Sequence, residues 1–169
     1  MYDTNAKKRG DVEEDASLVT SLTYLGYQDD ARKELVKYGS IKDDRLKKKA
    51  DLFKLLLTYG EDVAKEKLVY DGKHFQLYVL PRNGEYLLGI KPIMGRIFSE
   101  TKKDVFFAFE REDKIGIKGL TKLTAEKIFS EIGKRFNCEF YSHKNSGGCI
   151  LDKEKFPDVL NFLKELYEE

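Results

Sequence analysis

Apolar residues recur every three to four positions through the first third of this chain and every second position through much of the middle third. The first pattern predicts helices. Val12, Ala16, Val19, Leu22 and Leu25 form one stripe, opened by Asp11 and Glu14 in capping-box spacing and closed at Gly26. A second helix is expected from about Asp29 to Tyr38, ended by Gly39. Ser40 with Asp43 opens a third, whose core face is Leu46, Ala50, Phe53 and Leu57 and whose end is Gly60. A short turn is expected over residues 61–66.

The period then drops to two. Leu68-Val69-Tyr70 runs into Asp71-Gly72, a dipeptide suited to a tight hairpin turn. His74 to Leu80 alternates, with Phe75, Leu77 and Val79 on one side and His74, Gln76 and Tyr78 on the other. Pro81-Arg82-Asn83-Gly84 predicts a turn, and Glu85 to Lys91 a further strand through Tyr86, Leu88 and Ile90. Pro92 and Gly95 mark a break. Asp104 to Glu110 is a strand carrying Val105, Phe107 and Phe109, and Ile115 and Ile117 form another that closes at Gly119. Together these predict an antiparallel meander.

The last fifty or so residues read helix, strand, turn, strand, helix. Ala125, Ile128, Phe129, Ile132 and Phe136 line the first helix. Cys138 to Tyr141 and Gly148 to Leu151 flank an Asn145-Ser146-Gly147-Gly148 turn. Phe156, Val159, Leu160, Leu163 and Leu166 line the final helix, where Pro157 is tolerated in the first turn. The fold class expected is α+β: an N-terminal helical layer, an antiparallel β-meander, and a C-terminal helix–β-hairpin–helix. Residues 1–10 are expected to be a flexible tail, 11–66 a helical subdomain, and 67–169 the sheet with its helices, packed with 11–66 into one body.

Composition narrows the function. Apolar residues make up 41% of the 169, enough for a globular core. The 31 basic residues nearly cancel the 30 acidic ones, so no global field steers the protein to a polyanion or an anionic membrane. Cys138 and Cys149 are too few for a disulfide framework and suit a reducing compartment. The first ten residues have no apolar core of a secretory signal, and no apolar run reaches the length of a membrane span, so the cytoplasm is expected.

Several chemistries find little support. With only His74 and His143, a histidine-rich metal site is hard to assemble, and Cys138, His143 and Cys149 lack zinc-site spacing. No cofactor is expected. Phosphate-loop motifs are absent; Gly116-Ile117-Lys118-Gly119 before a helix near Thr121 is the nearest approach. Glu100-Thr101-Lys102 with Asp71 could hold a divalent metal, the basis of an alternative reading as a metal-dependent phosphodiesterase or nuclease. The triple lysine 47–49, with Arg45, is interleaved with acids and reads as a solvated helix face.

The meander is the better candidate surface. From Lys67 to Gly119 there are 10 basic and 7 acidic residues, the one stretch with a basic surplus. Strand parity turns Gln76, Tyr78, Lys91, Lys114 and Lys118 away from the apolar set, and Arg82, Arg96, Lys102 and Lys103 occupy adjoining turns. Aromatics among cations on a sheet can stack bases and neutralise phosphates. The expectation is a non-enzymatic accessory or regulatory protein, such as a phage or mobile element encodes. It would engage a protein or nucleoprotein complex through its sheet face, with direct nucleic-acid binding as the alternative.

Overall fold

The structure, a computed structural model, describes residues 9–81, 89–122 and 124–168. The chain divides into two compact units, residues 1–58 and 59–169.

The first unit is helical: α1 (Arg9–Tyr24), α2 (Gln28–Tyr38) and most of α3 (Asp44–Glu66). Gly26 and Gly39 both have positive φ, and the Gly39 N–H closes α2 onto the Leu35 carbonyl. Leu18, Leu22, Ala31, Ile41, Leu46 and Ala50 form its core. The α1 stripe is therefore rotated from the expected one: Val12 and Ala16 are exposed and Leu18 is buried. The start of α3 is set by Asp43, whose carboxylate accepts from the Arg45 N–H at 2.8 Å, and not by Ser40. Lys49 donates to the Tyr27 hydroxyl at 2.8 Å, so the triple lysine contributes one contact to this unit.

Gly60 does not end α3. The helix continues to Glu66, carried by buried Ala64 and by the Glu61–Lys65 pair at 2.9 Å, one turn apart. A glycine inside a helix costs about 1 kcal/mol, a small term beside that packing.

The second unit is built on a six-stranded sheet of order β1-β2-β3-β4-β6-β5. Its strands are β1 (Leu68–Asp71), β2 (Phe75–Leu80), β3 (Asp104–Glu110), β4 (Lys114–Leu120), β5 (Glu139–Ser142) and β6 (Ser146–Asp152). Helices α5 (Ala125–Phe136) and α6 (Phe156–Tyr167) bury one face, where Phe75, Leu77, Phe106, Ala108, Ile115, Ile117 and Leu151 meet Phe129, Ile132, Phe162 and Leu163. The α+β class holds, with N-terminal helices, a mostly antiparallel sheet and a C-terminal helix–hairpin–helix. No helix among the described residues is long and apolar enough to cross a membrane.

The meander does not hold throughout. β2 pairs with β3 in parallel, and a parallel neighbour needs a crossover. That crossover contains α4 (Ile90–Thr101), in the region read as a strand end and a break. Ile90, Ile93, Met94 and Ile97 are buried at helical spacing, and Pro92 sits in the first turn, where its missing N–H is harmless. The expected turn at Pro81-Arg82-Asn83-Gly84 and the strand residues 85–88 lie outside the described residues, except Pro81. The hairpin after Asp71 exists, but it uses Gly72, Lys73 and His74, and the Gly72 N–H donates to the Phe75 carbonyl at 3.0 Å.

This crossover changes the second face of the sheet. Gln76, Tyr78, Leu80, Val105 and Phe107 alternate with the inner set, yet all are buried, and α4 packs on β3 and β4. Strands that pack on both faces have no outward side for alternation to report. Gln76 (6% exposed) and Tyr78 (2% exposed) are thus interior residues, not surface ones. Their polar atoms are satisfied in series: the Tyr78 hydroxyl donates to Gln76 Oε1 at 2.7 Å, and Gln76 Nε2 donates to Asp71 Oδ1 at 2.9 Å.

Candidate functional site

Beyond α4 the same face carries half-buried Phe109 and Lys118 and exposed Tyr141 and Ile150. On β4, Ile115, Ile117 and Gly119 point to the α5–α6 core, so Lys114, Gly116, Lys118 and Leu120 point the other way. Register extends this across the sheet. Phe107, Lys118, Gly148 and Tyr141 form one row of facing positions, and Phe109, Gly116, Ile150 and Glu139 form the next. Between these rows and the first residue of α4 lies a hollow of about 340 Å³, lined by Ile90, Phe109, Arg111, Gly116, Lys118, Tyr141 and Ile150.

Two glycines shape it. A Cβ on Gly116 would meet nothing within 4 Å among the described residues beyond its chain neighbours, so the floor there is backbone with room above it. A Cβ on Gly148 would lie 2.8 Å from Tyr141 Cε1, so the phenol ring folds down onto the sheet at that point. Tyr141 keeps 52% of its surface exposed and Ile150 keeps 42%. The result is an aromatic plate lying along the sheet with its outer side in solvent. Partial burial raises the Tyr141 pKa, so the ring stays neutral at physiological pH.

The charges at the hollow differ from those around it. Lys114 and Lys155 both bind Asp152, holding its carboxyl below the usual carboxylate range, and Lys153 pairs with Glu110 at 2.9 Å. Arg111 and Lys118 make no ion pair among the described residues. Two unpaired cations and an exposed ring over an apolar floor can hold a flat, anionic ligand: the ring stacks, the cations take negative charge, and the glycine strand permits close approach.

The sequence-derived residues are dispersed. Lys118 alone lies in the hollow. Lys114 is on the same strand face, engaged by Asp152. Lys91 and Arg96 are on α4, not on a strand or in a turn; Lys91 is exposed in the first turn and Arg96 pairs with Glu61 at 3.5 Å. Lys102 caps α4 with φ 57°, and Lys103 holds Asp71 at 2.6 Å, which lowers the Asp71 pKa. Arg82 lies outside the described residues. Gln76 and Tyr78 belong to the interior.

The alternative constellations fare similarly. Asp71 is bound by Lys103 and Gln76, whereas Glu100 is bound by Lys65 at 3.0 Å. Among the described residues no three His, Cys, Asp or Glu side chains converge as a metal site, so Cys138, His143 and Cys149 do not form one. Both cysteines are free thiols whose pKa values burial raises. Gly116-Ile117-Lys118-Gly119 lies inside β4, while α5 starts only at Ala125.

Tyr141, Ile150, Phe109, Arg111 and the two glycines do not stand out as a group in the sequence. The available signal is parity: Lys118 and Gly116 alternate with inward isoleucines, and Gly148 and Ile150 alternate with Cys149 in the same way. Bringing them together takes the β4–β6–β5 register, which no single stretch of sequence carries.

No protein-family model and no curated protein sequence matches the chain. Solved structures do. CDC45 from Entamoeba histolytica matches with a TM-score of 0.61 at 12% identity, over 92% of this chain and 37% of that one. The DHH domain of a protein assigned to a family of ribosomal proteins matches with a TM-score of 0.58 at 13% identity, over 95% and 44%. Exonuclease RecJ bound to manganese matches with a TM-score of 0.55 at 18% identity, over 86% and 37%. The chain spans less than half the length of each of these proteins, and at such identities what it shares with them is a fold.

Proposed function

We propose that this chain is a non-enzymatic binding module for single-stranded nucleic acid, free or within a nucleoprotein complex, and that it binds through the Tyr141 face of β3, β4, β6 and β5. The observation that carries this reading is the exposed Tyr141 ring laid on Gly148 beside unpaired Lys118 and Arg111. A base stacked on such a ring gains about 1–3 kcal/mol whatever its identity, and the cations neutralise phosphates. Unstacked bases reach the ring; duplex bases do not. The nearly neutral charge of the whole chain fits a local contact better than long-range capture of duplex. An exonuclease among the proteins sharing the fold accords with a nucleic-acid ligand. Binding is favoured over cleavage because Asp71 and Glu100 are each held by a lysine.

The test is fluorescence anisotropy of a labelled single-stranded thymidine oligonucleotide and its duplex at roughly 50 and 200 mM salt. The expected result is binding of the single strand that weakens as salt rises, with duplex bound less tightly. No binding at the lower salt, or equal affinity for duplex, overturns the reading.

A further inference from the structure

We infer that the bound strand runs along β4, from the Tyr141 hollow to a cationic rim made by Lys102, Lys122 and Lys144, instead of crossing the sheet; the inference rests on the single-strand reading above. Two connections meet at that rim. The Thr121 N–H donates to the Asn145 carbonyl at 2.8 Å, and Asn145 Nδ2 donates to the Thr121 carbonyl at 3.0 Å. The Ala125 N–H donates to the Lys144 carbonyl at 3.1 Å. These bonds dock the β5–β6 turn onto the segment after β4, placing Lys144 near Lys122. Lys122 Nζ in turn donates to the Lys102 carbonyl, which adds the α4 C-cap to the group.

The carboxylate behind the rim, Asp104, faces inward and pairs with none of its lysines. Asp104 is buried, accepting from the Lys122 N–H at 2.7 Å and from the Tyr167 hydroxyl at 2.5 Å. Lys102, Lys122 and Lys144 are exposed, and none makes an ion pair among the described residues. Lys65, Arg96, Lys103 and Lys114, on the neighbouring elements, do pair, whereas the three rim lysines keep their charge available on the same strand line as Lys118.

Direction follows from register. Tyr141 faces Gly148, which faces Lys118, and from that row β5 leads towards Lys144 as β4 leads towards Lys122. From Gly116 to Lys122 the path is roughly 20 Å at ~3.4 Å per residue. That suits a footprint of about four nucleotides, the short end for single-strand-binding folds.

The experiment is a titration of the full chain with single-stranded thymidine oligonucleotides of about 2, 4, 8 and 12 nucleotides, a range that brackets this footprint. It is run on the wild type, Tyr141→Ala, Lys144→Gln and the pair Lys122→Gln with Lys144→Gln. Thermal melting of each variant checks the fold, and Lys144→Gln removes a side chain with no ion pair to lose. The wild type should gain affinity up to about four nucleotides per site and then rise only statistically. The rim pair should weaken the longer oligonucleotides about tenfold and leave the dinucleotide unchanged, as expected for two phosphate contacts. If Tyr141→Ala weakens binding while the rim variants match the wild type at every length, the path is wrong and the single-strand reading stands. If no oligonucleotide binds the wild type, that reading fails and takes the path with it.

Discussion

Tyr141 Cε1 lies 2.8 Å from the point where a Cβ on Gly148 would stand, and the Ile117 carbonyl oxygen lies at the same distance from it. The glycine is therefore the seat of the aromatic ring. Replacing it with alanine drives a methyl group into one yielding neighbour and one backbone atom that cannot yield. Gly148→Ala should destabilise the protein by about 1–3 kcal/mol, the usual range for overpacking. It should also lift Tyr141 from the sheet. Urea denaturation measures the first effect, and tyrosine fluorescence at native conditions the second.

Gly116 makes the opposite prediction. Among the described residues beyond its chain neighbours, no heavy atom lies within 4 Å of its added Cβ, and its strand neighbours on that face are Phe109 and Ile150. Gly116→Val should hold or raise stability by about 0.5–1 kcal/mol, because a strand glycine gives up more chain entropy on folding than other residues. The same side chain fills the floor of the hollow, so oligonucleotide affinity should fall at least about tenfold, as for loss of a stacked base. A variant that is as stable as wild type and binds equally well would remove the hollow from the site.

At Tyr141 the hydroxyl and the ring separate cleanly. Tyr141→Phe keeps the plate and should bind within about twofold of wild type, whereas Tyr141→Ala should lose about 1–3 kcal/mol of binding. Because half the residue is exposed, neither change should lower the melting temperature much. Equal losses for Phe and Ala would assign the effect to the hydroxyl and not to stacking.

Tyr78 predicts a pH dependence. Burial, with a smaller effect from the Asp71 carboxylate, pushes its phenol up to about 12, against an ordinary value near 10. Between those values the folded state keeps a proton that the unfolded chain has lost. The stabilisation is therefore complete below about pH 10 and is lost as pH rises through about 12. Two pH units correspond to roughly 3 kcal/mol. Tyr78→Phe should be less stable at neutral pH by about 1 kcal/mol, for its lost hydrogen bond to Gln76, and should decline less between about pH 10 and 12. Denaturant titrations at a series of pH values report both, and parallel curves for the two proteins would contradict the assignment.

Much of the fold could be read from residue order because local signals agreed. Leu46, Ala50, Phe53 and Leu57 are buried on α3, and Ala125, Ile128, Phe129 and Ile132 on α5, as their spacing indicates. The β5–β6 hairpin exists, but Ser146, Gly147 and Gly148, expected in its turn, belong to β6, and the connection is His143, Lys144 and Asn145. The error at α4 came from two overlapping patterns. Tyr86, Leu88 and Ile90 alternate like a strand, while Ile90, Ile93, Met94 and Ile97 follow a helical period, and Pro92 looks like a stop when it belongs to a first turn. Gln76 and Tyr78 misled for a different reason: each can be buried once its polar atoms find partners, so polarity at alternate positions did not mean solvent. Lys118 was legible from its own strand. Tyr141 was not, because its place in the site depends on strand pairing between distant segments.

The sheet is one backbone thick where β4 meets β6. Gly119 and Gly147 face each other on the inner side, where added Cβ atoms would strike Phe129 at 3.0 and 2.4 Å, while Gly148 supports Tyr141 on the outer side. Adjacent residues 147 and 148 thus seat a core ring and a surface ring with no side-chain layer between them. Mutational tolerance at these positions cannot distinguish folding from binding: a library selected only for folding would retain glycine at both. Tuning the site without disturbing the core has to proceed through Gly116, Lys118 and Tyr141 itself.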